Sequence, residues 1–237
     1  MQLKFKLAQA ELTIGSWITL GHSSIAEIMA AAGFDWLVLD MEHSVLELSE
    51  IQTLIQVLDG QECPAIVRLT SNHPDQIKRV MDAGATGVMV PMIKSAADAK
   101  TAVQAVYYPP RGQRGVGLAR AQGYGAKFQQ YRDWLEKNAV IVAMIEHIDA
   151  VNAIDSILSI DGIDACIATL IAALNRAGLE TVASCCGHGH RPGRISLRDG
   201  RELFILANYK MATKFDKALN KLGFPDIQGR SMEGNDG

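Results

Sequence analysis

Two short stretches of the sequence place charged side chains directly after apolar runs. In LVLDMEHSV, an aliphatic run is followed by Asp40, Glu42 and His43. In VIVAMIEH, a similar run ends at Glu146 and a second histidine. Carboxylates and an imidazole that lie together can hold a divalent cation and move protons next to a carbonyl group. Whether these groups can cooperate depends on the elements that carry them.

Six apolar runs of strand length alternate with segments of helical periodicity. The runs are TIGSWITL, DWLVLD, PAIVRLT, GVMVPM, VIVAMIEH and GIDACIA. DWLVLD is apolar enough to be covered on both faces, and the next helix carries the stripe Ile51, Leu54, Ile55 and Leu58. Repeated strand–helix units predict parallel strands with crossover helices. The absence of a dinucleotide glycine fingerprint favours a TIM-type barrel over a doubly wound sheet.

In such a barrel the chemistry lies at the carboxyl ends of the strands. Those ends supply Asp40, Glu42 and His43 from strand two, Arg68 from strand three and Glu146 with His147 from strand five, while Asp82 closes the third helix. This set predicts metal-assisted proton abstraction next to a carbonyl: a cation on Glu146, an enolate oxygen stabilised by Arg68, and proton transfer by His43, oriented by Asp40 or Asp82. The alternative is a group of ion pairs that merely closes the barrel mouth.

Several segments resemble the HpcH/HpaI aldolase family over about residues 10–167. They are GSWITLGHSSIAEIMAAAGFDWLVLDMEHS, PAIVRLTSNHPDQIKRVMDAGATGVMVPMI, YYPPRGQRGVG and MIEHIDAVNAID. The resemblance implies a class II, metal-dependent pyruvate aldolase that acts on 4-hydroxy-2-oxo acids or 2-keto-3-deoxy sugar acids. It also implies a homo-oligomer in which neighbouring subunits complete the site, with the arginine- and glycine-rich loop at 107–125 in that contact.

The same resemblance implies roles for individual residues. His43 matches the catalytic histidine of a D-x-E-H motif, and Arg68 matches the arginine that binds pyruvate and its enolate. Glu146 matches one metal-ligand carboxylate, and Asp40 and Asp82 match acidic positions around the histidine. The implied cofactor is Mg²⁺, Mn²⁺ or Co²⁺, and the implied small-molecule partners are pyruvate and an aldehyde.

The sequence departs from the family after the sixth strand. The family continues into a Gly-Pro-x-Asp-Leu motif whose Asp is the second metal ligand, but this chain reads GIDACIATLIAALNRAG, with no recognisable seventh or eighth strand. We therefore predict an α/β, TIM (β/α)-barrel-derived fold truncated after six strands in residues 1–168. Loss of a carboxylate ligand weakens the binding of a hard cation, so a second hypothesis is a catalytically inactive barrel remnant fused to a small binding or regulatory module. A related acyl-CoA lyase is a third, which the D-x-E-H motif fits less well.

Residues 169–237 are predicted to form a separate C-terminal α-β-hairpin-α segment, an αββα tail. Its hairpin turns at Asp199-Gly200. Residues about 171–229 resemble a small uncharacterised phage-type protein, which implies no function. Within the tail, SCCGHGH offers four candidate zinc ligands: Cys185, Cys186, His188 and His190. This crowded spacing fits no standard zinc motif, and a glycine-rich turn with exposed histidines is the alternative.

Composition narrows the classes of partner. The 237 residues carry a net charge of −3, so no basic footprint for nucleic acid or an anionic membrane is present. No stretch reaches the 18 apolar residues of a membrane helix, and the N-terminus lacks a signal-peptide pattern. The four cysteines have no C-x-x-C spacing, which favours reduced thiols. The sequence thus predicts a soluble cytoplasmic protein that binds small molecules and neither nucleic acid nor membrane.

Overall fold

The structure is a computed structural model that describes residues 3–168, 181–185, 193–197 and 202–205. The chain divides into two compact units, residues 1–179 and residues 180–237. The first unit contains the five residues predicted for catalysis and cation binding: Asp40, His43, Arg68, Asp82 and Glu146. The predicted domain boundary at residue 168 adjoins residues 169–180, which lie outside the described part of the chain.

Six parallel strands form the sheet of the first unit, in the order in which they occur along the chain. The strands are β1 Gly15–Ile18, β2 Trp36–Asp40, β3 Ala65–Arg68, β4 Gly87–Val90, β5 Val140–Ile145 and β6 Ala165–Ala168. The helices are α1 Leu3–Ala8, α2 Ser23–Ala31, α3 Leu48–Gly60, α4 Pro74–Ala83, α5 Ala96–Val106, α6 Phe128–Asn138, α7 Ile148–Asn152 and α8 Ile154–Leu158. This half-barrel confirms the predicted barrel-derived fold of six strands. None of the described helices is long and apolar enough to cross a membrane.

Local sequence signals account for the helix positions. The predicted stripe of α3 is buried, with Ile51, Leu54, Ile55 and Leu58 all inaccessible to solvent. Full burial of one such side chain contributes about 1.5–3 kcal/mol. Helix α4 begins at a proline, a position where the missing N–H costs nothing. It ends at Gly84, whose φ of 105° is left-handed and therefore suits glycine.

The concave face of the sheet has its own small core. Its buried members are Leu3, Val38, Ile66, Met89, Val140, Val142 and Met144. Helix α1, which the sequence did not predict, contributes the first of these. The next residue, Lys4, fixes the helix, because its ammonium donates to the Ala139 carbonyl at 2.7 Å and pairs with Asp164 at 2.9 Å.

Residues that alternate along a strand point to the same face of a sheet. Asp40 comes two residues after Val38, and Arg68 two residues after Ile66, so both continue the concave face at its carboxyl-terminal edge. The parallel register also places Asp40 directly beside Arg68. The fold therefore brings the ends of strands two and three together, as the barrel hypothesis requires.

The loop at 107–125 is tied to the outer helices by one buried arginine. Arg114 donates to Asp82 at 2.5 Å, to the Tyr131 hydroxyl at 3.1 Å and to the Val106 carbonyl at 3.3 Å. Its side chain is fully buried. The sequence predicted no regular element here, but the loop ends in a 3₁₀ turn at Arg120–Gly125.

In the second unit, the described residues form an antiparallel sheet in the order β7, β8, β9. The strands are β7 Thr181–Cys185, β8 Gly193–Leu197 and β9 Glu202–Ile205. Ser196 pairs with Glu202, which confirms a hairpin, while the turn residues themselves lie outside the described part. The described residues of the tail form three paired strands, because β7 pairs along β8, whereas the predicted αββα order counts only the two strands of the hairpin. The two predicted flanking helices fall outside the described residues.

Candidate active site

The centre of the site is a two-point ion pair at the ends of β2 and β3. Arg68 Nε donates to Asp40 Oδ1 at 2.8 Å, and Arg68 Nη2 donates to Asp40 Oδ2 at 2.6 Å. Parallel bonds of this kind fix the guanidinium in both position and plane. Burial by itself would raise the pKa of Asp40, but the hydrogen bonds from Arg68 and from two backbone amides outweigh it and hold that pKa below its usual range. The aspartate is therefore ionised and already engaged.

The loop after β2 wraps around the same aspartate. Asp40 Oδ1 accepts hydrogen bonds from the backbone N–H of Glu42 at 3.0 Å and of His43 at 3.2 Å. The imidazole of His43 is 71% exposed. Its Nε2 lies 3.8 Å from Glu42 Oε2. Asp40 thus holds the histidine's backbone, and the carboxylate nearest the imidazole is Glu42.

Glu42 carries a buried oxygen that makes no hydrogen bond. Its Oε2 lies 3.4 Å from Arg68 Nη1, which is an ion pair without hydrogen-bond geometry. Burial raises the pKa of Glu42, the Arg68 charge lowers it and the Glu146 charge raises it, and the net pKa lies above the usual value. An unsatisfied carboxylate oxygen beside a second carboxylate is an arrangement that a proton or a cation would stabilise.

Glu146 follows the end of β5. Its Oε2 accepts a hydrogen bond from the backbone N–H of Met92 at 3.1 Å, in the loop after β4. Met92 has a φ of 54°, an uncommon conformation for a residue with a side chain. The charge of Glu146 acts on Glu42 across the mouth of the half-barrel. The structure therefore gathers four of the five predicted residues, Asp40, His43, Arg68 and Glu146, at one edge of the sheet.

Asp82 lies elsewhere. It is near the carboxyl end of α4, where it accepts hydrogen bonds from Arg114 at 2.5 Å and from Gln122 at 3.1 Å. Helix α4 starts beside the carboxyl ends of the strands and runs back towards their amino ends, so about 15 Å of helix separates its two ends. The structure does not bring Asp82 together with the other four residues, and its role in orienting His43 stays a prediction. Its partners there are the loop residues Arg114 and Gln122.

Two residues of the site had no predicted role. The ring of Trp17, on β1, lies 4.5 Å from the Arg68 guanidinium carbon. Glu42 was noticed but given no role, although its Oε2, which accepts no hydrogen bond, lies close to both Arg68 and His43. The available signal for Trp17 was its place near the end of a predicted strand, but nothing in the sequence indicates which partner an aromatic ring will meet.

Carboxylate oxygens are the ligands that Mg²⁺ and Mn²⁺ prefer. Glu42 and Glu146 supply them at the mouth, and the buried Glu42 oxygen that accepts no hydrogen bond fits a cation. Among the residues that the structure describes, no group of three or more His, Cys, Asp or Glu side chains is arranged to hold a metal. The described chain thus fits part of a cation site and leaves other ligands to be supplied. The candidate zinc ligands Cys186, His188 and His190 lie outside the described residues, and of Cys185 only the strand backbone is described.

Residues 13–170 match the HpcH/HpaI aldolase/citrate lyase family. The chain belongs to this family. It is 38% identical over 144 residues to a 4-hydroxy-2-oxovalerate aldolase of Rhodococcus jostii, covering 60% of this chain and 55% of that protein. It is 33% identical over 193 residues to a 2-dehydro-3,6-dideoxy-6-sulfogluconate aldolase of Pseudomonas putida, covering 81% and 72%. The chain thus spans just over half the length of the first of these relatives.

The structural likeness agrees with the HpcH/HpaI assignment. The crystal structure of an HpcH/HpaI aldolase from Desulfitobacterium hafniense superposes with a TM-score of 0.66 at 28% identity, covering 94% of this chain and 80% of that one. The predicted family resemblance is therefore confirmed. The resemblance of the tail to a phage-type protein finds no support among these matches.

Proposed function

We propose that the first unit carries the site of a pyruvate aldolase, a carbon–carbon lyase that acts on 4-hydroxy-2-oxo acids or 2-keto-3-deoxy sugar acids. The observation that carries the proposal is the two-point ion pair between Asp40 and Arg68. It fixes the guanidinium beside the Glu42 carboxylate, which in turn lies close to the His43 imidazole. Its relatives are named as aldolases of such compounds, and their names support the choice of reaction.

Arg68 would stabilise the charge that develops on the enolate oxygen. When the bond between C3 and C4 of a 4-hydroxy-2-oxo acid breaks, its electron pair moves towards the 2-oxo group and an aldehyde leaves. A guanidinium already fixed by Asp40 needs no reorganisation at that moment, which is the main source of electrostatic catalysis. Its Nη1, which has no hydrogen-bonded partner in the described chain, is the donor that remains for the substrate.

His43 would move the proton. Its exposed imidazole can reach a substrate hydroxyl in the mouth, while its backbone stays anchored on Asp40. Removal of the 4-hydroxyl proton starts the cleavage, and return of a proton to C3 releases pyruvate. Glu42, 3.8 Å from the imidazole, can stabilise its charged form.

Glu146 and Glu42 would hold a divalent cation, Mg²⁺, Mn²⁺ or Co²⁺. When bound, such an ion supplies Lewis acidity to the 2-oxo group. Pyruvate and an aldehyde are then the small-molecule partners. The homo-oligomer implied by the family resemblance and the cytoplasmic location stay predictions.

A second candidate is a catalytically inactive remnant. It is favoured because the sequence after β6 lacks the family's Gly-Pro-x-Asp-Leu motif and because the described residues offer two carboxylates rather than a fuller ligand set. In that case the four gathered residues would serve only as ion pairs at the mouth.

The deciding experiment is exchange of pyruvate methyl protons in D₂O, followed by NMR with added Mn²⁺ or Mg²⁺. It requires the enolate but no knowledge of the aldehyde. We expect metal-dependent exchange that falls roughly a hundredfold or more in Glu146→Ala, because a ligand is worth at least as much as the groups that support it. The matched control is Asp149→Ala, a neighbouring carboxylate that is 66% exposed and pairs with His147.

Titration of Mn²⁺ by its EPR signal separates the two candidates without reference to activity. An aldolase should bind Mn²⁺ at least tenfold more tightly in the wild type than in Glu146→Ala. Equal affinity in both, together with no exchange above the buffer rate in a folded protein, would establish the inactive remnant.

A further inference from the structure

Arg68 is held from two sides by residues of two different strands. Asp40, on the neighbouring strand β2, binds its Nε and Nη2. Trp17 belongs to β1, two strands away, and its ring lies 4.5 Å from the guanidinium carbon. The ring and the guanidinium therefore meet across the end of β2. A guanidinium over a tryptophan face is attracted by the ring's quadrupole.

This arrangement leaves one edge of the guanidinium without a hydrogen bond. The Asp40 carboxylate occupies the edge that carries Nε and Nη2, and the guanidinium carbon lies over the Trp17 ring, 4.5 Å from its centre. Nη1 remains, 3.4 Å from Glu42 Oε2 and without a hydrogen bond. The side chain of Arg68 is only 13% exposed, whereas Trp17 is 41% exposed. A large aromatic ring is thus kept at the mouth of the half-barrel, where it shields a charge.

We propose that Trp17 is a positioning residue that acts through Arg68, holding the guanidinium plane so that its Nη1 edge faces the developing enolate oxygen and excluding water from its face. The inference rests on the proposed aldolase function. Exclusion of water lowers the local dielectric and strengthens the field of the charge at the substrate. The alternative roles for Trp17 are direct contact with the substrate and simple packing.

Oxalate, a planar dianion that resembles the pyruvate enolate, is the probe. Its dissociation constant is measured by calorimetry in the presence of Mn²⁺, and KM and kcat are measured for pyruvate exchange. We expect Trp17→Leu to raise the oxalate dissociation constant about tenfold and lower kcat by a similar factor, while KM changes less than threefold. The reason is that a group acting on the enolate stabilises the transition state more than the ground state. Trp17→Phe, which keeps a ring, should change the oxalate dissociation constant and kcat by about threefold or less.

The same substitutions in an Arg68→Lys background test whether Trp17 acts through the arginine. If it does, Trp17→Leu should add less than a twofold loss there, because the plane that it holds is gone. Trp134→Leu is the matched control, a tryptophan on α6 that stacks on Tyr131 with ring centres 5.8 Å apart and should leave oxalate binding unchanged.

A full tenfold loss in the Arg68→Lys background would overturn the inference, because Trp17 would then act on the ligand directly. An unchanged oxalate dissociation constant in Trp17→Leu would overturn it too. If Trp17→Leu fails to fold, the Phe variant in both backgrounds decides by the same rule. A wild-type protein that neither exchanges pyruvate protons nor binds oxalate would refute the proposed function and this inference together. If the wild type exchanges pyruvate protons but Trp17→Leu weakens oxalate binding equally in the wild-type and Arg68→Lys backgrounds, only the inference is refuted.

Discussion

Asp40 and Arg68 stand opposite each other in the register of β2 and β3, and their side chains meet in a two-point ion pair with bonds of 2.8 and 2.6 Å. The aspartate is 2% exposed and also accepts the backbone N–H groups of Glu42 and His43. One carboxylate therefore fixes both the arginine and the loop that carries the histidine. Replacement of this carboxylate should therefore lower both the stability of the protein and its catalytic rate.

Replacement of Asp40 by asparagine should lower the free energy of unfolding by roughly 3 kcal/mol, because it leaves a largely buried guanidinium without its counter-charge. Urea denaturation followed by circular dichroism measures the effect. Asp75→Asn is the control, since Asp75 forms an exposed pair with Lys78, and such surface pairs contribute little. Equal losses of unfolding free energy in the two variants would show that the Asp40–Arg68 pair stabilises the protein no more than an exposed surface pair does.

The same pair makes stability depend on pH. The pKa of Asp40 lies below its usual range in the folded protein, so the stabilisation is present above the unfolded-state pKa of about 4 and is lost as pH falls through the lower folded-state value. Between pH 7 and pH 3, the wild type should lose stability more steeply than Asp40→Asn. Parallel curves of urea midpoint against pH for the two proteins would contradict this.

Glu42→Gln should stabilise the protein at neutral pH while weakening the site. Burial raises the pKa of Glu42, as does the charge of Glu146, despite the opposing charge of Arg68. A raised carboxyl pKa means that stability declines as pH rises from the usual glutamate value through the raised one, and glutamine removes that decline. We expect a higher urea midpoint at pH 7 together with weaker Mn²⁺ binding. A lower midpoint at pH 7 would show that the Arg68 attraction outweighs the cost of burial.

Arg114→Lys should loosen the loop at 107–125. A lysine cannot reproduce the three hydrogen bonds that the guanidinium makes to Asp82, Tyr131 and the Val106 carbonyl. We expect a loss of roughly 1–3 kcal/mol in unfolding free energy, because buried partners of the guanidinium are left without a hydrogen bond, and faster tryptic cleavage within the loop. Cleavage at the wild-type rate would mean that the loop is held by other contacts.

Gly84→Ala should destabilise the protein by about 1–2 kcal/mol. The residue ends α4 at a φ of 105°, and an added Cβ would collide with the Arg120 guanidinium. Gly60→Ala is the matched control. This glycine lies in the last turn of α3, with open space around its Cβ position and no positive φ, so alanine there should be neutral or stabilising. Thermal denaturation of both variants checks the contrast.

Much of the fold could be predicted from local sequence signals. The six strands, the buried stripe of α3 and the glycine stop of α4 follow from apolar periodicity and from backbone preferences, which are properties of a few neighbouring residues. The parallel sheet then follows from the repeated strand–helix units, and with it the meeting of Asp40, Arg68 and Glu146 at one edge. Helix α1 escaped prediction because it is short and held largely by distant contacts of Lys4.

The sequence by itself determined which residues reach the mouth of the half-barrel, because strand order and side-chain alternation decide that. Only the tertiary structure decided how they pair. Asp40 binds Arg68 rather than the His43 imidazole, Asp82 binds Arg114 on the outer side, and the ring of Trp17 covers the guanidinium from two strands away. Long charged side chains have several possible partners within reach. Which partner is bound depends on strand register and on which charges are buried, and neither can be predicted from a few neighbouring residues.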